Sequence, residues 1–364
     1  MQIAFYGSSL LSSYWNGAAT YYRGLLAALA ARGYRITFYE PDAYDRQSHR
    51  DIDPPDWADV HVYAATPDAV QGVLARARSA DIVIKASGVG VFDNELLTGI
   101  LNHKRPDALA VFWDVDAPAT LAELAASSGH TLHHALTRLD LVMTYGGGDP
   151  VVDAYRAFGA QQCVPIYNAL DPATHHPVPP DQAFQADLSF LANRLPDREA
   201  RADSFFFAVA AALPDKQFLL GGSGWHDKPM PPNVRAIGHV GTDQHNAFNT
   251  SAVAVLNVAR DSMAAVGFSP ATRVFEAAGA GACLITDAWT GIENFLEPAK
   301  EILVARDGAE VAAHLRALTP ERARSIGDRA RERVLRDHTY GQRAALADDS
   351  FRRALARKRV PVSA

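Results

Sequence analysis

Cysteine is almost absent from this chain: Cys163 and Cys283 are the only two in 364 residues. Both lie beside strand-like apolar residues, so two buried thiols are expected rather than a disulfide, and no C-x-x-C pair is present to hold zinc. Histidine lacks metal-binding spacing: none of the 13 falls in H-E-x-x-H, and the adjacent pairs His133-His134 and His175-His176 point apart on a helix or strand. No metal and no cofactor are expected from these patterns. Long apolar runs are missing as well, since the longest, "FFFAVAAALP" from Phe205, is too short to span a bilayer. No basic leader or cleavage signal separates Met1 from "QIAFYG", and a cytoplasmic soluble protein is the expectation. Positive charge is not in excess either. With a net charge of −6, neither nucleic acid nor an anionic membrane is an expected partner. The basic cluster Arg352, Arg353, Arg357, Lys358 and Arg359 reads as a solvated helix face.

What is present is alternation. Short apolar strands at 2–7, 35–41, 81–88, 108–116, 141–147 and 163–169 are separated by helical stretches, among them 18–33, 69–78 and 120–128. Residues 168–184 then hold four prolines with neither period and read as a domain linker. The pattern restarts with strands at 186–193, 217–224, 234–240, 252–259, 282–287 and 301–306 and helices at 197–212, 243–250 and 271–279, and a helix runs on from Thr319-Pro320. Two tandem α/β Rossmann-like doubly wound domains are predicted, 1–170 and 171–344. Ligands of such sheets bind at strand carboxyl ends, so two such domains should face each other across a cleft.

The segments after strands carry the candidate chemistry. "GSSLLSSYWNGAATYY" (7–22) has no G-x-G-x-x-G, but Gly17 enters a helix whose free N–H groups attract an anion, and Tyr14 and Trp15 are expected exposed. The competing reading is a helix entry kept small for packing. Lys85, at the end of "DIVIK", either meets an anion or sits at a strand end. Asp114 and Asp116, two apart on a strand, are expected on one face, able to hold sugar hydroxyls or act as a base; the alternative is Asp116 capping a helix. Arg194, Arg198 and Arg260 follow strands, with Arg273 further on, and arginines converging on one edge suit a diphosphate, although singly each suits a surface ion pair.

In "ATRVFEAAGAGACLITD" the glycines follow a helix and precede a strand, the reverse of a phosphate loop. Gly279 and Gly281 therefore read as helix cap and turn. Glu276 is left as a helix carboxylate, able to accept both ribose hydroxyls or merely solvated. Thr290-Gly291-Ile292, after the strand, offers backbone to a phosphate or sugar.

The stretch from "NVRAIGHV" through "RVFEAAGAGACLITD" to "IENFLEPAKEILVARD" resembles the CgeB-like spore-protein glycosyltransferases of the GT-B group, similar to retaining glycosyltransferase family four, over roughly 185–345. "IYNALDPATHHP" is similar to their interdomain segment. The resemblance implies that Glu276 binds the nucleotide ribose, Arg194 lies at the donor diphosphate, "TGIE" lines the sugar pocket, and a C-terminal helix, about 345–364, returns to the first domain. One departure stands out: family four carries a glutamate eight positions before this one, where Phe268 stands here.

The expected function is therefore transfer of a sugar from a nucleoside diphosphate sugar to an acceptor, retaining and metal-independent, with the donor on the second domain and the acceptor on the first. Asp116 and Asp114 are the catalytic candidates. Three alternatives remain at this point: a nucleotide-sugar epimerase, an inactive nucleotide- or sugar-binding protein, and a dinucleotide oxidoreductase in which Glu40 ends the second strand.

Overall fold

The computed structural model describes residues 1–14 and 16–359. Trp15, expected exposed on the first loop, lies outside these residues, as do 360–364 of the expected C-terminal helix and the side chain of Arg359. The chain divides into two compact units, one formed by Met1–Tyr167 with the residues from Tyr340 onward and the other by Asn168–Thr339.

The first unit holds β1 (Gln2–Tyr6), β2 (Arg35–Asp42), β3 (Ala58–Ala64), β4 (Ile82–Ala86), β5 (Leu109–Asp114), β6 (Leu141–Thr144) and β7 (Cys163–Pro165). Its helices are α1 (Ala19–Ala31), α2 (Pro67–Ala75), α3 (Asp93–His103), α4 (Ala117–Ala126), α5 (Thr131–Leu136) and α6 (Gly148–Ala157), with α14 (Tyr340–Arg359) closing the chain. All seven strands are parallel, in the order β3-β2-β1-β4-β5-β6-β7. Central strands of a parallel sheet are covered on both faces, which explains the unbroken apolar runs "QIAFY" and "IVIKA". Ile3 pairs with Ile36 on one side and Ile82 on the other. The C-terminal helix is tied in by polar contacts: Tyr34 donates to Asp348 at 2.6 Å, and Lys358 reaches Asp140 at 2.7 Å.

The second unit holds β8 (Ala186–Leu191), β9 (Phe218–Gly221), β10 (Val234–Gly238), β11 (Ala252–Asn257), β12 (Leu284–Asp287) and β13 (Leu303–Ala305). Its helices are α7 (Pro196–Ala202), α8 (Ala208–Ala212), α9 (His245–Ser251), α10 (Asp261–Val266), α11 (Thr272–Gly279), α12 (Gly308–Ala317) and α13 (Pro320–Asp337). The strands are again parallel, in the order β10-β9-β8-β11-β12-β13. Phe190, Phe206 and Phe218 pack ring against ring in its core. Strand order reverses between β1 and β4 in one sheet and between β8 and β11 in the other, the two points where open α/β sheets bind ligands.

Four expectations change. The helix expected over 197–212 is interrupted by a π-helical turn at Asp203–Phe207, which brings Phe205, Phe206 and Phe207 all inside. The strand expected over 108–116 ends at Asp114, so Asp116 is the N-cap of α4 and the two carboxylates do not share a strand face. Residues 168–184 are no free spacer. Asn168, Leu170, His175 and Phe184 are buried within the second unit, so the prolines shape a strap bound to it. Gly279 is the last residue of α11, where a Cβ would lie 2.3 Å from Leu170; the turn itself is made by Gly281 at φ +78.

Candidate functional site

The richest edge of the second unit lies at the carboxyl ends of β8, β11 and β12. Arg194 follows β8, and its two terminal nitrogens meet Glu199 at 2.6 Å and Asp227 at 2.7 Å. Its guanidinium draws Glu199 down to about 2, with Lys228 adding to the effect. Arg198 rises from the first turns of α7 beside Asp197, which accepts from Arg260 at 2.5 Å, so α7 and the residue after β11 are joined by an ion pair. These side chains are half-buried, apart from the exposed Asp227, and ion pairs this open to solvent contribute little to stability.

One arginine on this edge was not singled out from the sequence. Arg201, also on α7, pairs with the fully buried Asp287 at the end of β12 and lies 3.7 Å from Asp261. Burial pushes the Asp287 carboxyl up, against Arg201 and the Ala259 N–H that hold it down. An aspartate closing the apolar strand "LITD" was the available signal, because a charge at a buried strand end needs a partner.

Next to that edge, Phe268 lies in the left-handed region at φ +47. Its N–H donates to the Thr290 carbonyl at 2.7 Å, and its ring lies where a Cβ on Gly291 would stand, 2.1 Å away. Gly291 itself has φ +89 and is followed by the single turn Ile292–Asn294. The Thr290-Gly291-Ile292 backbone is thus held by an aromatic residue at the position where the family resemblance places an acid. A non-glycine residue at positive φ costs free energy that the surrounding packing must supply.

Glu276 lies on α11, away from solvent. It is 6% exposed; Arg273 reaches its Oε2 at 3.2 Å, and His175 Nε2 stands 3.8 Å from its Oε1. His245, at the start of α9, completes the group, with its ring centroid 6.3 Å from that of His175. Burial opposes ionisation of Glu276, yet Arg273, His175 and His245 together hold the carboxyl below its ordinary range. His245 is pushed down to about 4, first by burial and then by Arg273, so its ring is neutral near pH 7. Arg273 therefore does not join the arginines of the strand ends; it serves Glu276.

In the first unit the expected residues behave differently. Asp114 is fully buried and saturated: its Oδ1 accepts from Ser87 at 2.7 Å, the Asp116 N–H at 3.0 Å and Thr120 at 3.0 Å, and its Oδ2 accepts from Tyr155. Burial raises its pKa against those four donors. A carboxylate enclosed in this way pins β4, β5, α4 and α6 together and has no open face for a substrate. Asp116 is partly exposed at the N-cap of α4, but its side chain does not cap the helix. Gly17 is exposed, with nothing within 4 Å of a Cβ placed on it, so no close approach requires glycine there. The loop before it is held from within. Asn16 bonds Ser8 and the Ser9 and Ser12 carbonyls, while buried Glu40 accepts from Ser9, Leu10 and Gln47. That use of Glu40 leaves no ribose contact for a dinucleotide reading. Tyr14 is 40% exposed and stacks on His49, and Lys85 is buried against Asp93.

The family described as "Glycosyl transferase-like" matches residues 198–349. A sucrose-phosphate synthase from Thermosynechococcus elongatus is similar in structure over 98% of this chain and 100% of its own, at TM-score 0.69 and 16% identity. The two-unit α/β fold of this chain is that of GT-B structures. The GT-B chain is also similar to Anabaena HepE, solved in complex with UDP and glucose, over 97% of this chain and 100% of that one, at TM-score 0.67 and 12% identity. A third similar structure is an alpha-glucosyltransferase in complex with UDP-glucose and DNA, covering 96% of this chain and 99% of that one at TM-score 0.70 and 12% identity. No curated protein matches by sequence. Among the described residues no helix is long and apolar enough to cross a membrane.

Proposed function

We propose that the chain transfers a sugar from a UDP-sugar, held on the second unit, to an acceptor, by the retaining route of the CgeB-like and family-four enzymes it resembles. The observation that carries this reading is the set of arginines at the β8/β11 switch point, Arg194, Arg198 and Arg260, of which Arg194 and Arg260 are paired with half-buried or exposed carboxylates that a phosphate can replace. A departing nucleoside diphosphate gains negative charge, and fixed guanidinium groups favour that charge more in the transition state than in the ground state. In this reading the arginines and nearby backbone N–H groups neutralise the diphosphate without a metal. Arg201 is a positioning residue, held by Asp287. Glu276 would receive the ribose hydroxyls by giving up its contact with His175, and Thr290-Gly291-Ile292 would face the sugar. Asp116, the more exposed of the two aspartates, is the candidate acid of the first unit. UDP and GDP thermal shifts and calorimetry, followed by UDP release from UDP-sugars, test this. Stabilisation by UDP that weakens in Arg260→Ala and Glu276→Ala supports the reading, and no shift with any nucleotide rejects it.

A second reading rests on Phe268, which puts a strained aromatic residue in place of a sugar-contacting acid. In that case the protein binds a nucleotide sugar without transferring or epimerising it. UDP-sugar binding with no UDP release, and no conversion of the sugar, favours it.

A further inference from the structure

The group around Glu276 contains more than a ribose contact requires. His175 comes from the strap, His245 from the start of α9 and Glu276 from the middle of α11, and one ligand atom of each lies within 4.8 Å of the others. His175 Nε2 and His245 Nδ1 are both buried and have no hydrogen-bond partner. His175 is 4% exposed, and its other ring nitrogen is 2.9 Å from the Thr174 hydroxyl, which fixes the ring and leaves Nε2 turned toward Glu276 Oε1. Buried polar atoms without partners are rare, because each carries an uncompensated desolvation cost. Here two imidazole nitrogens and a carboxylate oxygen converge on the same enclosed point.

We infer that His175, His245 and Glu276 form a binding site for a transition metal of the Zn²⁺ class. Two imidazoles and one carboxylate are a donor set that suits such an ion, with a fourth position left for water or a ligand oxygen. Metal–nitrogen bonds of about 2.0–2.1 Å require the three atoms to draw closer than they stand, which rotation of the His245 ring toward the fixed His175 ring would supply. Arg273 grips Oε2, which orients Oε1 toward the histidines as an outer-shell partner does. The same guanidinium adds a positive charge beside the ion, so the site is a modest binder rather than a permanent structural one. The site goes beyond the nucleotide reading and does not depend on it, although both use Glu276; an ion there would compete with a ribose.

The chelator-treated 364-residue chain is titrated with Co²⁺, whose visible absorption reports a low-coordinate nitrogen/oxygen site, and then with Zn²⁺ to displace it. One equivalent of Co²⁺ bound with intense visible bands, displaced by Zn²⁺, is the expected result. His175→Ala and His245→Ala should each weaken binding by about tenfold or more. His239→Ala, an exposed histidine of the same unit, should leave it unchanged. Circular dichroism of each variant separates a lost ligand from a lost fold, and His175→Gln serves where the alanine variant unfolds. Absence of the bands in the parent protein, or bands that survive in the His175→Ala/His245→Ala double variant, overturns the inference. UDP calorimetry on the metal-free protein reads the nucleotide site separately.

Discussion

The strand ends of the two units are built from the same kinds of residue and use them in opposite ways. In the first unit the charges at the sheet edge are turned inward. Asp114 is sealed by four donors, Glu40 holds the β1–α1 loop, and Lys85 is buried against Asp93. In the second unit Arg194 stands half-buried against the exposed Asp227, and Arg260 against the half-buried Asp197. A buried charge with all its hydrogen bonds made is expensive to disturb, whereas an exposed ion pair is easily exchanged. The difference is the ground for proposing the charged ligand on the second edge and not on the first.

The largest expected break of this comparison is Asp114→Ala, which strands the hydroxyls of Ser87, Thr120 and Tyr155 inside the first unit. A loss of about 3 kcal/mol in urea unfolding is expected, with UDP affinity of the folded protein unchanged. Next comes pH. His245 has a folded pKa of about 4 against 6.5 for the free side chain, so the unfolded chain binds the extra proton first as pH falls. Stability is therefore full above about pH 6.5 and is lost between there and about pH 4, by on the order of 3 kcal/mol. Glu276, depressed in the same way, adds a loss in the acid range below its ordinary pKa. His245→Phe should flatten the upper part of that profile in thermal melts across pH. Arg260→Ala should lower UDP affinity about tenfold while leaving the melting temperature nearly unchanged. The smallest effect is expected from Gly17→Ala, which has open space around it and should change stability by less than about 0.5 kcal/mol.

Much of the fold was legible because a buried parallel sheet leaves a plain signal, as in "QIAFY", "IVIKA" and "AVAVLN". β3 was not, since "ADVHVYA" is an edge strand with mostly half-exposed residues and carries charge where a central strand would not. The π-helical turn was also hidden, because "DSFFF" fits a helix equally well with or without the extra residue. At the site, the arginines after β8 and β11 were readable from chain order alone. The partnership of Arg201 with Asp287 and the meeting of His175, His245 and Glu276 were not, because residues far apart in sequence are joined only by the winding of the second sheet. Asp114 misled for a related reason: a carboxylate at a strand end looks the same in sequence whether it faces a ligand or four internal donors.

The half-buried arginine edge of the second unit, and not the sealed edge of the first, is proposed to bind the nucleotide. Calorimetric titration of UDP into the parent protein, Arg260→Ala and Asp114→Asn measures this directly. The account predicts binding by the parent, about tenfold weaker binding by Arg260→Ala, and parent-like affinity in folded Asp114→Asn. Binding that survives Arg260→Ala unchanged but is lost in folded Asp114→Asn would contradict it.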